Sequence, residues 1–201
     1  MCIIGLKTIG QETPSLNTLR GCFNSNRDGA GIAIVRNDKV EVHKGFMNWG
    51  DFETAVNVLQ IDKNELAMYH FRFGTAGENN QANTHPFPVW PVDKTQLRWT
   101  SYTAKAAMSH NGIMSKYGGY WKQGKVDEYS DTQLFVYDQL RHYTLADLYT
   151  NETVKELGTL INGGNKLAII TEDNKYILVN EQAGVWDQGM WWSNPGYKIY
   201  C

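Results

Sequence analysis

Apolar positions in the first part of the chain follow two periods, one typical of strands and one of helices. Residues 3–6 form a short apolar run, which predicts a buried strand. After Pro14, apolar residues three and four positions apart predict a helix that opens at Ser15. Two β-prone runs, 30–35 and 40–46, flank a turn-rich connection and predict a hairpin.

The next segment combines a helix, two strands and a long irregular stretch. We expect Asp51 to cap a helix that runs through Gln60, and the aromatic-rich residues 66–73 to form a central strand. Three prolines and many amides within residues 74–91 predict a loop, and loops of this length are usually functional or disordered. Residues 104–109 predict another strand.

Helical spacing returns in the second half of the chain. Residues 131–143 predict a helix capped by Asp131 or Ser130, and residues 151–161 predict a second helix. Two further β-prone runs follow. Because strands are grouped and do not alternate regularly with helices, we expect antiparallel sheets packed against helices, an α+β fold. No linker or repeat divides the chain, so we expect one domain over residues 1–201.

The amino-acid composition restricts the classes of molecule that the chain is expected to bind. The chain has 201 residues, 42% of them hydrophobic, which is enough for one substantial core. The formal net charge of −2 provides no large basic field, so we expect neither nucleic acid nor a membrane surface as a partner, but a small molecule or a protein. No secretory signal or membrane-spanning run is present, so we expect a cytoplasmic protein.

Metal and cofactor motifs are missing from the sequence. The histidines show no metal-ligand spacing, and no phosphate-binding glycine loop occurs, so we expect no metal and no cofactor. The three cysteines, Cys2, Cys22 and Cys201, are odd in number and show no CxxC spacing, so they indicate no disulfide framework.

Cys2 directly follows the initiator methionine, which is a chemically special position. Removal of Met1 would leave a thiol and a free α-amine on the same residue. An α-amine titrates near 7.7 to 8.0, so at about pH 7 to 8 an appreciable fraction of it is free to accept a proton from the thiol. Cys2 is therefore a candidate N-terminal nucleophile.

Six segments along the chain support Cys2 as a nucleophile. They are, in order, MCIIG, NRDGAGIAIV, HFRFGTAG, NTHPF, SHNGI and SDTQLF. Together they resemble the class II glutamine amidotransferase domain of the N-terminal nucleophile hydrolases, over roughly the first two thirds of the chain. The resemblance implies a four-layer αββα sandwich with two antiparallel sheets, and hydrolysis of the glutamine side-chain amide through a cysteine thioester.

The resemblance implies three residues for the chemical step. Cys2 matches the family nucleophile, and Asn111 and Gly112 match the oxyanion pair, which offers a side-chain NH₂ and a backbone N–H. Glycine at this position also permits a close approach. Taken without the other motifs, Asn111-Gly112 is more typical of a turn after a strand than of an oxyanion site.

A second group of residues matches the family's substrate clamp. Arg72 matches the arginine that pairs with the substrate α-carboxylate, and Thr75 adds a contact to that carboxylate. Asp131 matches the acid that receives the α-ammonium, although helix capping alone would also explain an aspartate here.

Three further positions are expected to support the site. Asn26 and Asp28 lie in a turn that sits beside the nucleophile in the family, and His85 matches a recurrent position to which we assign only loop ordering. Two features depart from the best-known synthases: residues 24–27 replace their arginine-containing turn, and Ile3 replaces the glycine that follows the nucleophile. These departures leave the synthase branch open.

The sequence supports three functional hypotheses. In the first, the chain releases ammonia from glutamine for a separate synthase subunit, because no appended synthase domain fits into 201 residues. In the second, it is an amidohydrolase that cleaves glutamine or another γ-glutamyl amide. In the third, it is a non-catalytic binding or regulatory protein, against which the presence of the complete set of site residues argues.

Overall fold

The computed structural model of the chain describes residues 1–117 and 128–200; Cys201 lies outside them. Two antiparallel sheets dominate the fold. Among the residues described, the larger sheet has seven strands: β1 (Ile3–Lys7), β2 (Ala30–Arg36), β3 (Lys39–Phe46), β4 (Ala67–Phe71), β6 (Ser101–Ala104), β10 (Val185–Asp187) and β11 (Met190–Trp192). Their order across the sheet is β10-β11-β1-β4-β2-β3-β6.

Within the same described ranges, the smaller sheet has four strands: β5 (Phe87–Pro88), β7 (Ala106–Asn111), β8 (Lys166–Thr171) and β9 (Tyr176–Val179). They are arranged in this order across the sheet. Five α-helices are also found in the described ranges, together with several short 3₁₀ turns. The helices are α1 (Leu16–Ser25), α2 (Trp49–Leu59), α3 (Asp131–Asp138), α4 (Leu145–Leu148) and α5 (Asn151–Ile161).

Three buried apolar clusters separate four layers. In the first, α1 and α2 pack on one face of the larger sheet, with Phe52 at the contact. In the second, the two sheets face each other through residues such as Met68 and Ile170. In the third, helices α3 to α5 cover the smaller sheet with residues such as Phe135 and Leu157. The chain is therefore an αββα sandwich, the predicted α+β fold.

Local signals place several elements where the sequence predicts them. Ser15 accepts a hydrogen bond from the Thr18 amide and caps α1. The β2–β3 hairpin turns through Asn37 and Asp38, with φ of 50° and 54°, as a two-residue turn with positive φ requires. Of the two caps considered for α3, Ser130 is the one that forms, as part of a capping box.

The predicted cap of α2 is wrong. Asn48 caps this helix, because its side chain accepts the Asp51 amide, and the helix opens at Trp49. Asp51 lies in the first turn, where its carboxylate accepts a hydrogen bond from the Asn48 side chain and faces the positive end of the helix dipole. The predicted helix end is close, since Gln60 is the C-cap in a left-handed conformation.

Two predictions for the middle of the chain need correction. The loop predicted for residues 74–91 contains a 3₁₀ turn and the short strand β5, which pairs with β7 at the edge of the smaller sheet. The single strand predicted for residues 104–109 divides at Lys105. Strand β6 pairs with β3 in the larger sheet, whereas β7 belongs to the smaller one.

This topology brings distant motifs to one end of the larger sheet. Antiparallel pairing sets Ile3 opposite Phe71, so Cys2 before β1 and Arg72 after β4 share one edge. Phe71 also pairs with Ala30, which brings the turn before β2 to the same edge. In residues 1–117 and 128–200 no helix combines the length and apolar character needed to cross a bilayer.

Candidate active site

A small cavity lies at this edge of the larger sheet, between the two sheets and the start of α3. Its lining includes six of the nine residues predicted for the site. The lining residues are Cys2, Arg72, Phe73, Thr75, Ala76, His85, His110, Gly112, Ser130, Asp131 and Thr132.

Cys2 is held at the cavity by the backbone of Phe73, the residue that follows Arg72. Its side chain accepts a hydrogen bond from the Phe73 amide over 3.4 Å and donates to the Phe73 carbonyl over 3.6 Å. Burial raises the pKa of the Cys2 thiol, while the Phe73 hydrogen bond and the Arg72 charge oppose the rise. The thiol is therefore the resting form at neutral pH, and attack requires a base.

Asn26 connects the backbone just before the nucleophile to the end of β4. Its side-chain NH₂ donates to the carbonyl of Met1 over 3.0 Å and to that of Phe71 over 3.1 Å. Met1 itself is 66% exposed, so a processing enzyme can reach it. While Met1 is attached, the nitrogen of Cys2 is part of a peptide bond and cannot act as a base.

Arg72 is buried and oriented by the loop that follows it. Its guanidinium donates to Asn79 Oδ1 over 3.0 Å and to the Ala76 carbonyl over 2.9 Å. Burial lowers the pKa of Arg72, and the neighbouring acidic groups, including Asp28 and Asp131, oppose that fall. Arg72 thus remains a fixed cation at the cavity wall.

Asp28 supports this loop and has no hydrogen bond to Cys2. Its two carboxylate oxygens accept from the Gly74 amide over 2.7 Å and from the Asn79 side chain over 2.8 Å. Asp28 therefore orients Arg72 through Asn79, a residue that the sequence reasoning did not single out. Thr75 lies in the same loop, exposed and at the cavity lining.

Asp131 is a buried carboxylate at the opposite wall. Its oxygens accept hydrogen bonds from the Thr132 amide over 2.7 Å and the Met114 amide over 2.8 Å. Among residues 1–117 and 128–198 no basic side chain forms a salt bridge with it. The carboxylate is thus oriented by peptide N–H groups and is available to a cation in the cavity.

Asn111 is placed differently from Gly112. Gly112 lines the cavity at φ of +144°, and a β-carbon there would overlap Asn165 Oδ1. The Asn111 side chain does not line the cavity. Its NH₂ donates to the Cys2 carbonyl and to Ser193 Oγ, and its Oδ1 has no partner. In this state the predicted oxyanion amide therefore faces the backbone of the nucleophile.

Two residues near the end of the chain also hold the nucleophile. Asn194 donates to the Cys2 carbonyl over 2.6 Å, and Ser193 accepts the Ile4 amide over 2.9 Å. The sequence reasoning missed both. Their segment includes β11, which pairs with β1, but nothing in the local pattern indicates that pairing.

His85 contributes a buried ring to the cavity lining. Its ring centroid lies 4.1 Å from that of His70 and 4.5 Å from that of Phe87, and neither ring nitrogen has a hydrogen-bond partner. Burial lowers the pKa of His85 well below its usual value and lowers that of His70 to about 3. Both rings are therefore neutral at physiological pH.

Sequence comparison finds a relative among the amidotransferases. No family model matches the chain. Glutamine–fructose-6-phosphate aminotransferase (isomerizing) from Bacillus licheniformis is 26% identical over 161 residues, which are 77% of this chain and 24% of the relative. The chain thus spans about a quarter of the length of the curated relative it matches.

Comparison with solved structures gives the same fold. The glutamine phosphoribosylpyrophosphate amidotransferase of B. subtilis, solved with ADP and GMP, aligns with a TM-score of 0.55 and 18% identity over 96% of this chain and 41% of its own. A structure described as the allosteric regulatory enzyme of purine biosynthesis aligns with a TM-score of 0.55 and 22% identity over 86% and 36% of the two chains.

The chain is related to the class II glutamine amidotransferase domains. The resemblance inferred from six ordered segments is thereby confirmed, as is the αββα sandwich. Within the amidotransferase fold, the cavity brings together Cys2, Arg72, Thr75, Gly112 and Asp131. Their individual roles remain predictions.

The absence of a metal site also remains a prediction. Across the described ranges, 1–117 and 128–200, no group of three or more His, Cys, Asp or Glu side chains is arranged to hold a metal ion. The buried histidines of this amidotransferase fold are instead packed ring against ring or hydrogen-bonded to neutral groups.

Proposed function

We propose that the chain hydrolyses the side-chain amide of glutamine, with Cys2 as the nucleophile once Met1 has been removed. The observation that carries this proposal is the meeting of three groups in one cavity. The Cys2 thiol, the Arg72 guanidinium and the Asp131 carboxylate all line it, although they are far apart in sequence. This is the set of groups that attack on a zwitterionic amino-acid amide requires.

The two charged residues match the head group of glutamine. A planar guanidinium makes a two-pronged contact with a carboxylate, so Arg72 receives the α-carboxylate, and the Thr75 hydroxyl adds a donor. Asp131, which has no salt bridge within the described residues, receives the α-ammonium. The side-chain amide then extends toward the Cys2 thiol.

The reaction proceeds in two steps, formation of a γ-glutamyl thioester and its hydrolysis. The free α-amine of residue 2 takes the thiol proton, and Cys2 Sγ bonds to the amide carbon. When the tetrahedral intermediate collapses, the C–N bond breaks and the amine returns the proton, so ammonia leaves. Water then attacks the γ-glutamyl thioester, which releases glutamate and restores the thiol.

Gly112 and Asn111 supply the donors for the oxyanion. The Gly112 backbone lies at the cavity already, whereas the Asn111 NH₂ must turn from the Cys2 carbonyl. That carbonyl keeps a hydrogen bond from Asn194 when Asn111 turns. Loss of one such donor typically costs about 100- to 1000-fold in rate.

The released ammonia requires an acceptor. The named relative is an aminotransferase of which this chain matches only 24%, so we propose that a separate synthase subunit or domain consumes the ammonia. Co-purification of a synthase whose product depends on this chain would support this assignment.

The test is a glutaminase assay on the chain that lacks Met1, with release of glutamate and ammonia followed together. Cys2→Ala is expected to abolish both products. Cys22→Ala, which removes a thiol buried in α1, is the matched control and is expected to retain them. Equal turnover of glutamine by the wild type and Cys2→Ala would refute the proposal, as would absence of turnover in the wild type.

Exposure of Phe73 favours a second candidate, cleavage of a γ-glutamyl amide with a larger leaving amine. Phe73 lines the cavity and is 48% exposed, so its ring is available to an apolar leaving group. The discriminating measurement is kcat/KM for glutamine against that for γ-glutamyl anilide. A higher kcat/KM for glutamine would exclude this second candidate. A higher kcat/KM for the anilide would favour it over glutamine hydrolysis.

A further inference from the structure

Asn165 is a buried residue that no sequence motif indicated, and it contacts two parts of the cavity wall. It lies in the turn between α5 and β8 and is 3% exposed. Its Oδ1 accepts a hydrogen bond from His110 Nε2 over 2.7 Å, and the same oxygen occupies the space that a β-carbon on Gly112 would need. Asn165 therefore packs directly behind the predicted oxyanion peptide.

The orientation of the Asn165 amide is fixed by its other contacts. Its Nδ2 donates to the Ile161 carbonyl over 2.6 Å and to Asn162 Oδ1 over 2.9 Å. A backbone carbonyl can only accept a hydrogen bond, so Nδ2 must face Ile161 and Oδ1 must face His110. The Nε2 atom of His110 consequently carries a proton.

This proton sets the direction of the next hydrogen bond. In a neutral ring with the proton on Nε2, Nδ1 is an acceptor, so the Thr132 hydroxyl donates to His110 Nδ1 over 2.9 Å. That hydroxyl has only one proton. Thr132 Oγ1 also lies within hydrogen-bond distance of Asp131 Oδ1, at 3.2 Å, so His110 Nδ1 and the carboxylate compete for this one proton. With Nδ1 as an acceptor, the shorter contact takes the proton.

We propose that Asn165 is a positioning residue for substrate binding: by fixing the His110 tautomer it turns the Thr132 hydroxyl away from Asp131 and leaves that carboxylate free for the substrate ammonium. The inference rests on the proposed function, because it assigns Asp131 to an amino-acid head group. Without the Asn165 acceptor, His110 can carry its proton on Nδ1. The Thr132 hydroxyl can then donate to Asp131 and compete with the ammonium.

The test is the equilibrium binding of L-glutamate, measured by calorimetry on the chain lacking Met1. It probes the series of hydrogen bonds from Asn165 through His110 to Thr132. Glutamate keeps the α-ammonium and α-carboxylate and is not turned over. Asn165→Ala is expected to raise the Kd for glutamate about tenfold. Adding Thr132→Val, which deletes the competing hydroxyl, is expected to restore the Kd to within about twofold of the Thr132→Val single variant.

Asn180→Ala is the matched control. The Asn180 side chain donates to the carbonyls of Asn162 and Asn165, so its removal weakens the same turn without touching His110. The control is expected to lower the Tm and leave the Kd unchanged. A double variant that binds as weakly as Asn165→Ala, or a control with the same loss of affinity, would overturn the inference.

A second measurement decides the point even if Asn165→Ala does not fold. Nitrogen-15 NMR of the histidine rings in the wild type is expected to show His110 protonated on Nε2 alone. If His110 carries its proton on Nδ1 while glutamate still binds, this inference fails and the proposed function stands. If the Nε2–H form is present but glutamate does not bind, the proposed function fails.

Discussion

At the scale of single residues, the site depends on side chains whose charge and direction are set by neighbours. Arg72 illustrates this, because Asn79 and the Ala76 carbonyl orient its guanidinium. Asp131 is oriented in the same way by two peptide N–H groups. A preorganised cation and anion reduce the ordering cost of binding a zwitterion, which supports the proposed assignment of these two residues to the head group.

Arg72→Lys is expected to raise the KM for glutamine about 10- to 100-fold with a smaller effect on kcat. Lysine keeps the charge but cannot make the two-pronged contact, and a hydrogen bond to a charged group is worth about 1.5–3 kcal/mol. Steady-state kinetics on the chain lacking Met1 measures this. Arg27→Lys, an exposed arginine that does not line the cavity, serves as the control. An unchanged KM in Arg72→Lys would contradict the assigned role.

At the scale of elements, α2 packs against the larger sheet with an aromatic cluster around Phe52 at the contact. Phe52 is fully buried, and its ring centroid lies 5.3 to 6.1 Å from those of Phe23, Phe46, Trp49 and Phe71. These rings come from α1, α2, β4 and the end of β3. The cluster therefore joins both helices of the outer layer to the sheet that supports Cys2 and Arg72.

Phe52→Ala is expected to lower the free energy of unfolding by about 3–5 kcal/mol, because it removes a large buried ring and leaves a cavity. Urea denaturation measures this. Val58→Ala lies on the same helix but is 75% exposed, so it is expected to change stability by less than about 0.5 kcal/mol. Equal losses in the two variants would show that the cluster does not hold this layer.

The elements also show what a sequence can predict. The Ser15 cap and the β2–β3 turn depend on neighbours within a few residues, so local pattern was sufficient. The division at Lys105 was missed, because an apolar run does not tell which sheet each strand joins. The motifs point to six residues that line the cavity, and their roles stay predictions. Asn165 and Asn194 form their contacts across 55 and 192 residues, where spacing carries no signal.

At the scale of the whole molecule, the two sheets and α3 enclose three neutral histidines around the cavity. His70 donates to the His110 carbonyl, and His85 stacks on His70. Burial lowers the pKa of all three. The site is therefore built on groups that favour the folded state only while they are uncharged.

This arrangement predicts loss of stability in mild acid. The unfolded chain binds protons at these histidines below about pH 6.5, whereas folded His70 does so only near its pKa of about 3. The contribution to stability is thus complete above about pH 6.5 and is lost as the pH falls toward the folded pKa. For His70 the expected loss between pH 7.5 and 5.5 is about 1.4 kcal/mol in total, because the slope approaches about 1.4 kcal/mol per pH unit only well below pH 6.5. Urea denaturation across this range measures the loss.

His85→Phe tests the origin of that slope. Phenylalanine preserves the ring contacts with His70 and Phe87 and removes two buried nitrogens that have no partner. The variant is expected to show a shallower loss of stability between pH 7.5 and 5.5 than the wild type. An identical pH dependence of stability in the variant and the wild type would indicate that His85 does not contribute to the loss in acid.

The central claim is that residue 2 attacks the substrate when its amino group is free. Incubation with an electrophilic diazoketone analogue of glutamine, followed by intact-mass and peptide mass spectrometry, tests it most directly. One adduct on Cys2 is expected in the chain that lacks Met1, with much slower modification of the chain that retains Met1. Modification at another residue, or equal rates with and without Met1, would contradict it.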